Sequence, residues 1–320
     1  MKFNADLVDD LARRKAVLFV GSGVSASAKT RAGKRIRTWS AFLHEAAKSV
    51  ADSKIRAEIQ RLIKERDYLL AAELLKDALE DNWPRILRNE FAQVGSASNL
   101  HRAIVNLEQR VLITTNFDKF LESAWNDSTV NATHHPRLIT KLDSEVFKAL
   151  RNDEPCLIKL HGTIDEDSSL IFTKSSYTER AYGNWMYSEL VGNLLLNYTF
   201  IFLGFSMSDP AVALLIELHA QRFPDTRPHY IFLPSPVSPK MIEISKRLRK
   251  LYVLPYSPAN NHRELATQVQ TLGTLAAKRR GEIYADSLSL SPKLSFAAAK
   301  KSAPKKRASA SSKTRKSRRP

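Results

Sequence analysis

Four short polar motifs each follow an apolar run, and their residue types are suited to chemistry. They are Gly21-Ser22-Gly23-Val24-Ser25 after Ala16–Val20, Thr115-Asn116-Phe117-Asp118, Leu160-His161-Gly162, and Gly204-Phe205-Ser206. Histidine titrates near neutrality, so His161 can take a proton from a hydroxyl or an attacking water. The amide of Asn116 does not titrate at working pH, which suits it to positioning. A strand that ends in two glycines and small hydroxyl residues can turn tightly and offer backbone N–H groups to a phosphate. Each motif also has a plain reading. The glycine turn lacks the third glycine of the usual dinucleotide fingerprint and reads equally as a structural turn. His161 reads as a strand-end histidine, and Asp118 as a cap for the helix that follows. Asp209, before Pro210, reads as a cap rather than a ligand.

The elements that must carry these motifs alternate. A short helix at Asp6–Arg14 precedes a strand at Ala16–Val20, and residues Trp39–Val50 read as helix. Further helices fall between Ile55 and Phe91, where Tyr68, Ala71, Ala72, Leu75, Ala78 and Leu79 repeat at the spacing of one helical face. Strands follow at Val111–Thr115, Cys156–Leu160, Thr199–Gly204, His229–Leu233 and Leu251–Leu254. Strands alternating with helices predict an α/β fold, a Rossmann-like doubly wound parallel sheet. The helical block at roughly residues 40–95 is too long for a simple crossover and is assigned to a small inserted lobe. In such a sheet ligands sit beyond the carboxyl ends of the strands, where all four motifs fall.

Composition excludes several classes. The chain has 320 residues, 43% of them hydrophobic, enough for a packed core. One cysteine, Cys156, excludes an internal disulfide framework and a four-cysteine zinc site, and no metal ligands are assigned. No apolar stretch reaches the length of a membrane span and the N-terminus lacks a signal core, so a cytoplasmic protein is expected. The net charge is +17, but eleven Lys and Arg residues and no acid lie after Ser287, and removing them leaves +6. The stretch from Ala299 to Pro320 is almost wholly Ala, Ser, Pro, Lys and Arg, a composition expected to be disordered. Two readings stand for this basic tail: a solvated appendage, or non-specific attraction to nucleic acid through phosphates. The division expected is a domain at 1–283, with its helical lobe at about 40–95, and a tail at 284–320.

Taken together, the motifs resemble the sirtuin-like NAD hydrolases of bacterial anti-phage defence, the silent-information-regulator-two-like branch. The resemblance runs from about Ala16 to Tyr256. It rests on Gly-Ser-Gly-Val-Ser at 21–25, Thr-Thr-Asn-Phe-Asp at 114–118, Lys-Leu-His-Gly at 159–162 and Gly-Phe-Ser-Met-Ser-Asp-Pro at 204–210, in the family's order. It implies an enzyme that cleaves the nicotinamide–ribose bond of NAD+, with Asn116 and His161 catalytic. Gly21, Ser22, Gly23 and Ser25 would surround the pyrophosphate, and Asp118 would lie near the nicotinamide amide. Gly204 and Ser206 would contact the adenosine ribose.

Two departures separate the chain from protein-deacylating sirtuins. The zinc cysteines are missing, so no zinc is expected and water becomes the favoured acceptor. The loop Lys29–Arg37 carries five basic residues, which reads either as a solvated loop or as a lid drawn over the pyrophosphate. The alternatives are a zinc-less NAD-dependent deacylase or ADP-ribosyltransferase, and an NAD-sensing or nucleic-acid-binding module. No sensor domain is expected after about residue 283. Control of such a hydrolase is therefore expected from a separate sensor or activator protein, from self-assembly, or from the tail.

Overall fold

The structure is a computed structural model that describes residues 3–30, 33–92, 95–128 and 135–290. Arg31, His134 and the basic stretch from residue 291 onward lie outside the described residues, as do the expectations placed on them.

Nine strands are formed among the described residues: β1 (Ala16–Val20), β2 (Lys29–Thr30), β3 (Gly95–Ser96), β4 (Val111–Thr114), β5 (Arg137–Ile139), β6 (Cys156–Lys159), β7 (Thr199–Leu203), β8 (His229–Pro234) and β9 (Leu251–Tyr256). Seven of them make one sheet in the order β5-β6-β4-β1-β7-β8-β9, and every pairing in it is parallel. β2 and β3 form a separate antiparallel pair. β1 is buried along its whole length, as a parallel strand covered on both faces must be. Its side chains alternate between two cores. Val17 and Phe19 join Phe200, Phe202 and the helix Trp185–Asn197 on one face. Leu18 and Val20 join Ile201, Leu203 and the helix Asn99–Val105 on the other. The doubly wound architecture read from the alternation of elements is the one observed.

The chain leaves β1, builds a helical lobe, and returns to β4 beside β1. Four helices, Trp39–Ala47, Ser53–Lys64, Tyr68–Leu79 and Asn82–Phe91, make the lobe. Their apolar faces close around Phe42, Leu43, Leu75, Trp83 and Phe91 in a third core. Phe117, Phe120, Ile164 and Phe172, from the segments after β4 and β6, complete that core. The lobe is thus keyed to the strand ends that carry the polar motifs. After β7, Asp209 caps the helix Pro210–Arg222 with its carboxylate on the Val212 N–H, and Pro210 occupies the first turn.

The described chain divides into a unit Met1–Glu282 and a second beginning at Ile283. No helix among the described residues is long and apolar enough to cross a membrane.

Candidate active site

β1 is where the strand order reverses: the chain places β4 on one side of it and β7 on the other. Loops at such a switch point diverge and leave a crevice. Here the turn after β1 and the turn after β7 pack backbone to backbone. The Gly21 N–H donates to the Leu203 carbonyl at 2.9 Å, and the Gly23 N–H to the Gly204 carbonyl at 2.9 Å. A Cβ on Gly21 would fall 2.6 Å from the Gly204 oxygen, and one on Gly23 would fall 2.9 Å from it. Gly204 has φ +58°, where L side chains are strained. This corrects one sequence expectation: the N–H groups of Gly21 and Gly23 are spent on the neighbouring turn and are not free for a phosphate. The glycines are required by close approach of two protein backbones. Ser22–Ser25 forms a single helical turn instead of an open loop.

Asn116, two residues past β4, is buried and oriented by the β1 turn. Its amide nitrogen donates to the Gly21 carbonyl at 3.0 Å and to the Ser25 hydroxyl at 2.8 Å. A carbonyl can only accept, so the amide's nitrogen must face Gly21, and both its hydrogens are committed. Only the carbonyl oxygen of Asn116 remains to act on a ligand, as an acceptor. The Ser25 hydroxyl donates in turn to Asp118 Oδ2 at 2.6 Å, while Asp118 Oδ1 accepts the Phe120 N–H at 3.1 Å. Asp118 thus does two things at once: the carboxylate caps a turn with one oxygen and anchors Ser25 with the other.

A fully buried lysine holds this loop. Lys159, at the end of β6, donates to the carbonyls of Phe117 at 3.2 Å and Asp118 at 2.5 Å, and to Glu122 Oε1 at 2.8 Å. Buried lysine is rare unless every donor finds a partner, and here three are found. The sequence alone assigns Lys159 no role, because its three acceptors lie about forty residues earlier in the chain.

His161 is buried against two tyrosines and a carboxylate. Its Nε2 lies 3.3 Å from the Tyr187 hydroxyl and 3.4 Å from Asp209 Oδ2, and its Nδ1 lies 3.5 Å from the Tyr177 hydroxyl. Tyr177 donates to Asp209 Oδ2 at 2.7 Å. Burial pushes the His161 imidazole below its ordinary range, and the Asp209 carboxylate opposes that shift. Burial, reinforced by Asp209, holds the Tyr177 and Tyr187 phenols well above theirs. Neither tyrosine stands out in the sequence. Asp209 stands out only as the cap that it also is, since its second oxygen meets a residue 32 positions earlier.

Asn116, Asp118, His161 and Asp209 line one cleft at the strand ends. Ser22, Ser25, Asn116, Asp118, His161, Gly204, Ser206 and Asp209 supply its polar side, and Trp39, Phe91, Phe117 and Phe172 its aromatic side. Gly21 and Gly23 sit behind it, in the contact between turns. Ser206 shares a hydrogen bond of 2.8 Å with Ser208 at the exposed lip.

The basic loop is anchored more firmly than a free lid. Lys29 and Thr30 pair with β3, and Arg35 donates to the side chain of Asn261. The Arg37 N–H donates to Glu90 Oε1 at 2.7 Å while its guanidinium pairs with Glu90 Oε2. Arg37 lines the cleft beside buried Ile36. His101 is buried as the third residue of its helix, in a capping box with Ser98, and His135 is exposed. Among the described residues no group of three or more His, Cys, Asp and Glu side chains is placed to hold a metal ion.

Residues 110–256 match the family model of the SIR2-like domain. That stretch of the chain is similar to a SIR2-like domain. The matched span runs from the start of β4 to the end of β9, and so contains Asn116, His161, Gly204 and Asp209, while the glycine turn after β1 precedes it. Two proteins called NAD(+) hydrolase ThsA align over a longer stretch. The one from Enterococcus faecium is 26% identical over 226 residues, covering 68% of this chain and 43% of its own length. That from Cytobacillus dafuensis is 24% identical over 220 residues, covering 68% and 40%. The chain therefore spans less than half the length of these curated relatives. Among solved structures, a Sir2 homologue in complex with NAD superposes with a TM-score of 0.41 at 15% identity, over 87% of this chain and 96% of that one.

Proposed function

We propose that the chain is an NAD+ hydrolase that cleaves the nicotinamide–ribose bond to give nicotinamide and ADP-ribose. The observation that carries this reading is the meeting of Asn116, through Ser25 and Asp118, with His161 in one cleft at the strand ends. The names of the ThsA relatives, NAD(+) hydrolases, support the same reaction.

Breaking the bond to nicotinamide builds positive charge on the ribose in an oxocarbenium-like transition state. The departing ring takes the bonding electrons and leaves neutral. Water adds its oxygen to the sugar carbon and must lose a proton. His161, kept neutral by burial, accepts that proton. Asn116, with both N–H bonds committed, holds the water or a ribose hydroxyl through its carbonyl oxygen. The aromatic side of the cleft excludes competing water. In this reading Ser22 and Ser25, backed by Gly21 and Gly23, form the wall for the pyrophosphate. Gly204 and Ser206 meet the adenosine ribose, and Asp118 serves the nicotinamide end. No zinc takes part.

The reaction is assigned to the unit ending near residue 283, acting in the cytoplasm as an anti-phage effector by depleting NAD+. A separate sensor or activator, or self-assembly, would release it. The basic tail from residue 284 would attract nucleic acid through phosphates, so truncation after Tyr284 should weaken DNA binding and flatten its salt dependence.

Purified protein incubated with NAD+, with and without an acylated peptide, tests the reading. Release of nicotinamide with ADP-ribose from the parent, absent in Asn116→Ala, is expected. Release only with peptide would make the chain a deacylase, and saturable NAD+ binding without turnover would make it a sensing module.

A further inference from the structure

We infer that Asp209, together with Tyr177, is a positioning residue for His161, arranged to receive the imidazole in its protonated form. The inference rests on the proton-accepting role proposed for His161.

Asp209 divides its two oxygens between two tasks. Oδ1 accepts the Val212 N–H at 2.9 Å and so caps the helix Pro210–Arg222. Oδ2 turns the other way, accepts the Tyr177 hydroxyl at 2.7 Å, and stands 3.4 Å from His161 Nε2. Because the Tyr177 proton is committed to Asp209, the Tyr177 oxygen offers only lone pairs to His161 Nδ1, 3.5 Å away. Both ring nitrogens therefore face acceptors: a phenol oxygen at Nδ1 and a carboxylate at Nε2. Tyr187, 3.3 Å from Nε2, can donate to the neutral ring or accept from the charged one.

A neutral imidazole has one N–H and leaves one of those acceptors opposite a lone pair. An imidazolium has two and satisfies both. The surroundings thus fit the charged ring, although burial keeps the ring neutral at rest. When His161 takes a proton during the reaction, Asp209 supplies the counter-charge within a water-poor enclosure, where it acts at full strength. Separations of 3.3–3.5 Å leave room for these bonds to tighten as the reaction proceeds. The titratable groups around the ring come from three elements. They are Asp209 at the helix cap, Tyr177 and Tyr182 in the wide helical turn Tyr177–Tyr182, and Tyr187 in the helix Trp185–Asn197.

Asp209→Asn separates this role from capping, because Asn caps a helix as well as Asp does while carrying no charge. The variant should unfold at nearly the parental temperature. Its nicotinamide release should be slower by about tenfold or more, with kcat falling more than KM changes. The acid limb of its pH–rate profile should move to lower pH, since the imidazolium has lost its counter-charge. NMR of histidine-labelled protein reads the same effect without NAD+: the His161 ring should stay neutral to a lower pH in the variant than in the parent. Tyr177→Phe, which keeps both the cap and the charge, should slow release to a smaller extent. It carries the test if Asp209→Asn does not fold. Parental rates and an unmoved acid limb in the folded variants would overturn the inference and leave Asp209 a cap. A parent that cleaves no NAD+ would instead overturn the proposed reaction. In that case the NMR comparison still tests Asp209 independently, and an unshifted His161 titration would overturn its role.

Discussion

At the scale of single residues, the cleft is a relay of short polar side chains, each held by a partner. Asn116 is fixed by Gly21 and Ser25, and Ser25 by Asp118. His161 is enclosed by Tyr177, Tyr187 and Asp209. Asn116→Ala and His161→Ala should each reduce NAD+ cleavage by about a thousandfold or more without unfolding the protein. The double variant should be hardly slower, as cooperating residues are not additive. A folded His161→Ala protein that releases nicotinamide at the parental rate would remove the histidine from the mechanism. Asn116, Asp118 and His161 can be picked out in the sequence because each is a polar residue ending an apolar run. The partners that orient them cannot. Tyr177 and Tyr187 lie in a segment with no strand-end signal, and their contact with His161 exists only after the chain has folded back across the sheet.

At the scale of elements, the site depends on two loop contacts that act over long separations in sequence. The first is the packing of the β1 turn on the β7 turn. Gly23→Val would drive its side chain into the Gly204 carbonyl, and Gly21→Ala would meet both Gly204 and Phe205. Each should lower stability by about 1–3 kcal/mol, as overpacking does, and weaken NAD+ binding by displacing Gly204 rather than by touching the ligand. Parental stability in denaturant unfolding of Gly23→Val would refute that contact. The second is Lys159, which ties the loop after β4 to β6. Lys159→Met would strip two buried carbonyls and the partly buried carboxylate of Glu122 of their donor. A loss of about 3–5 kcal/mol is expected, measured as a shift of the urea midpoint. The central strands are legible because buried parallel strands are continuous apolar runs. β5 is not, since this edge strand has three residues and exposes Arg137 and Leu138. The two-residue pairing of β2 with β3 carries no apolar signal either. For the same reason the anchoring of the basic loop between them is invisible in the sequence.

At the scale of the whole molecule, the protein buries several neutral histidines, and this should govern how it responds to acid. Burial pushes His101 down to about 4 and His229 down to about 3, from an ordinary 6.5. His161 and His219 are shifted in the same direction by the same cause. His101 serves as a capping residue and His229 accepts the Phe200 N–H at 3.1 Å, so both are built into the fold as uncharged rings. Below pH 6.5 the unfolded chain binds protons on these histidines that the native state refuses. Stability then rises with pH wherever the unfolded state holds more protons. The contribution is complete above about pH 6.5 and is lost as pH falls toward the folded values. Each group contributes a slope of up to about 1.4 kcal/mol per pH unit, so the pair should remove about 3–4 kcal/mol between pH 7 and pH 5. Most carboxylates titrate below this window and add little to it. Unfolding by urea at pH 7, 6 and 5 measures the effect directly. A stability flat across that range would mean that His101 and His229 become charged inside the folded protein, which their enclosed surroundings oppose. The same window bears on catalysis, because NAD+ cleavage measured near pH 5 would combine protonation of His161 with loss of folded enzyme. Rates there must be divided by the folded fraction before an acid limb is assigned to the histidine.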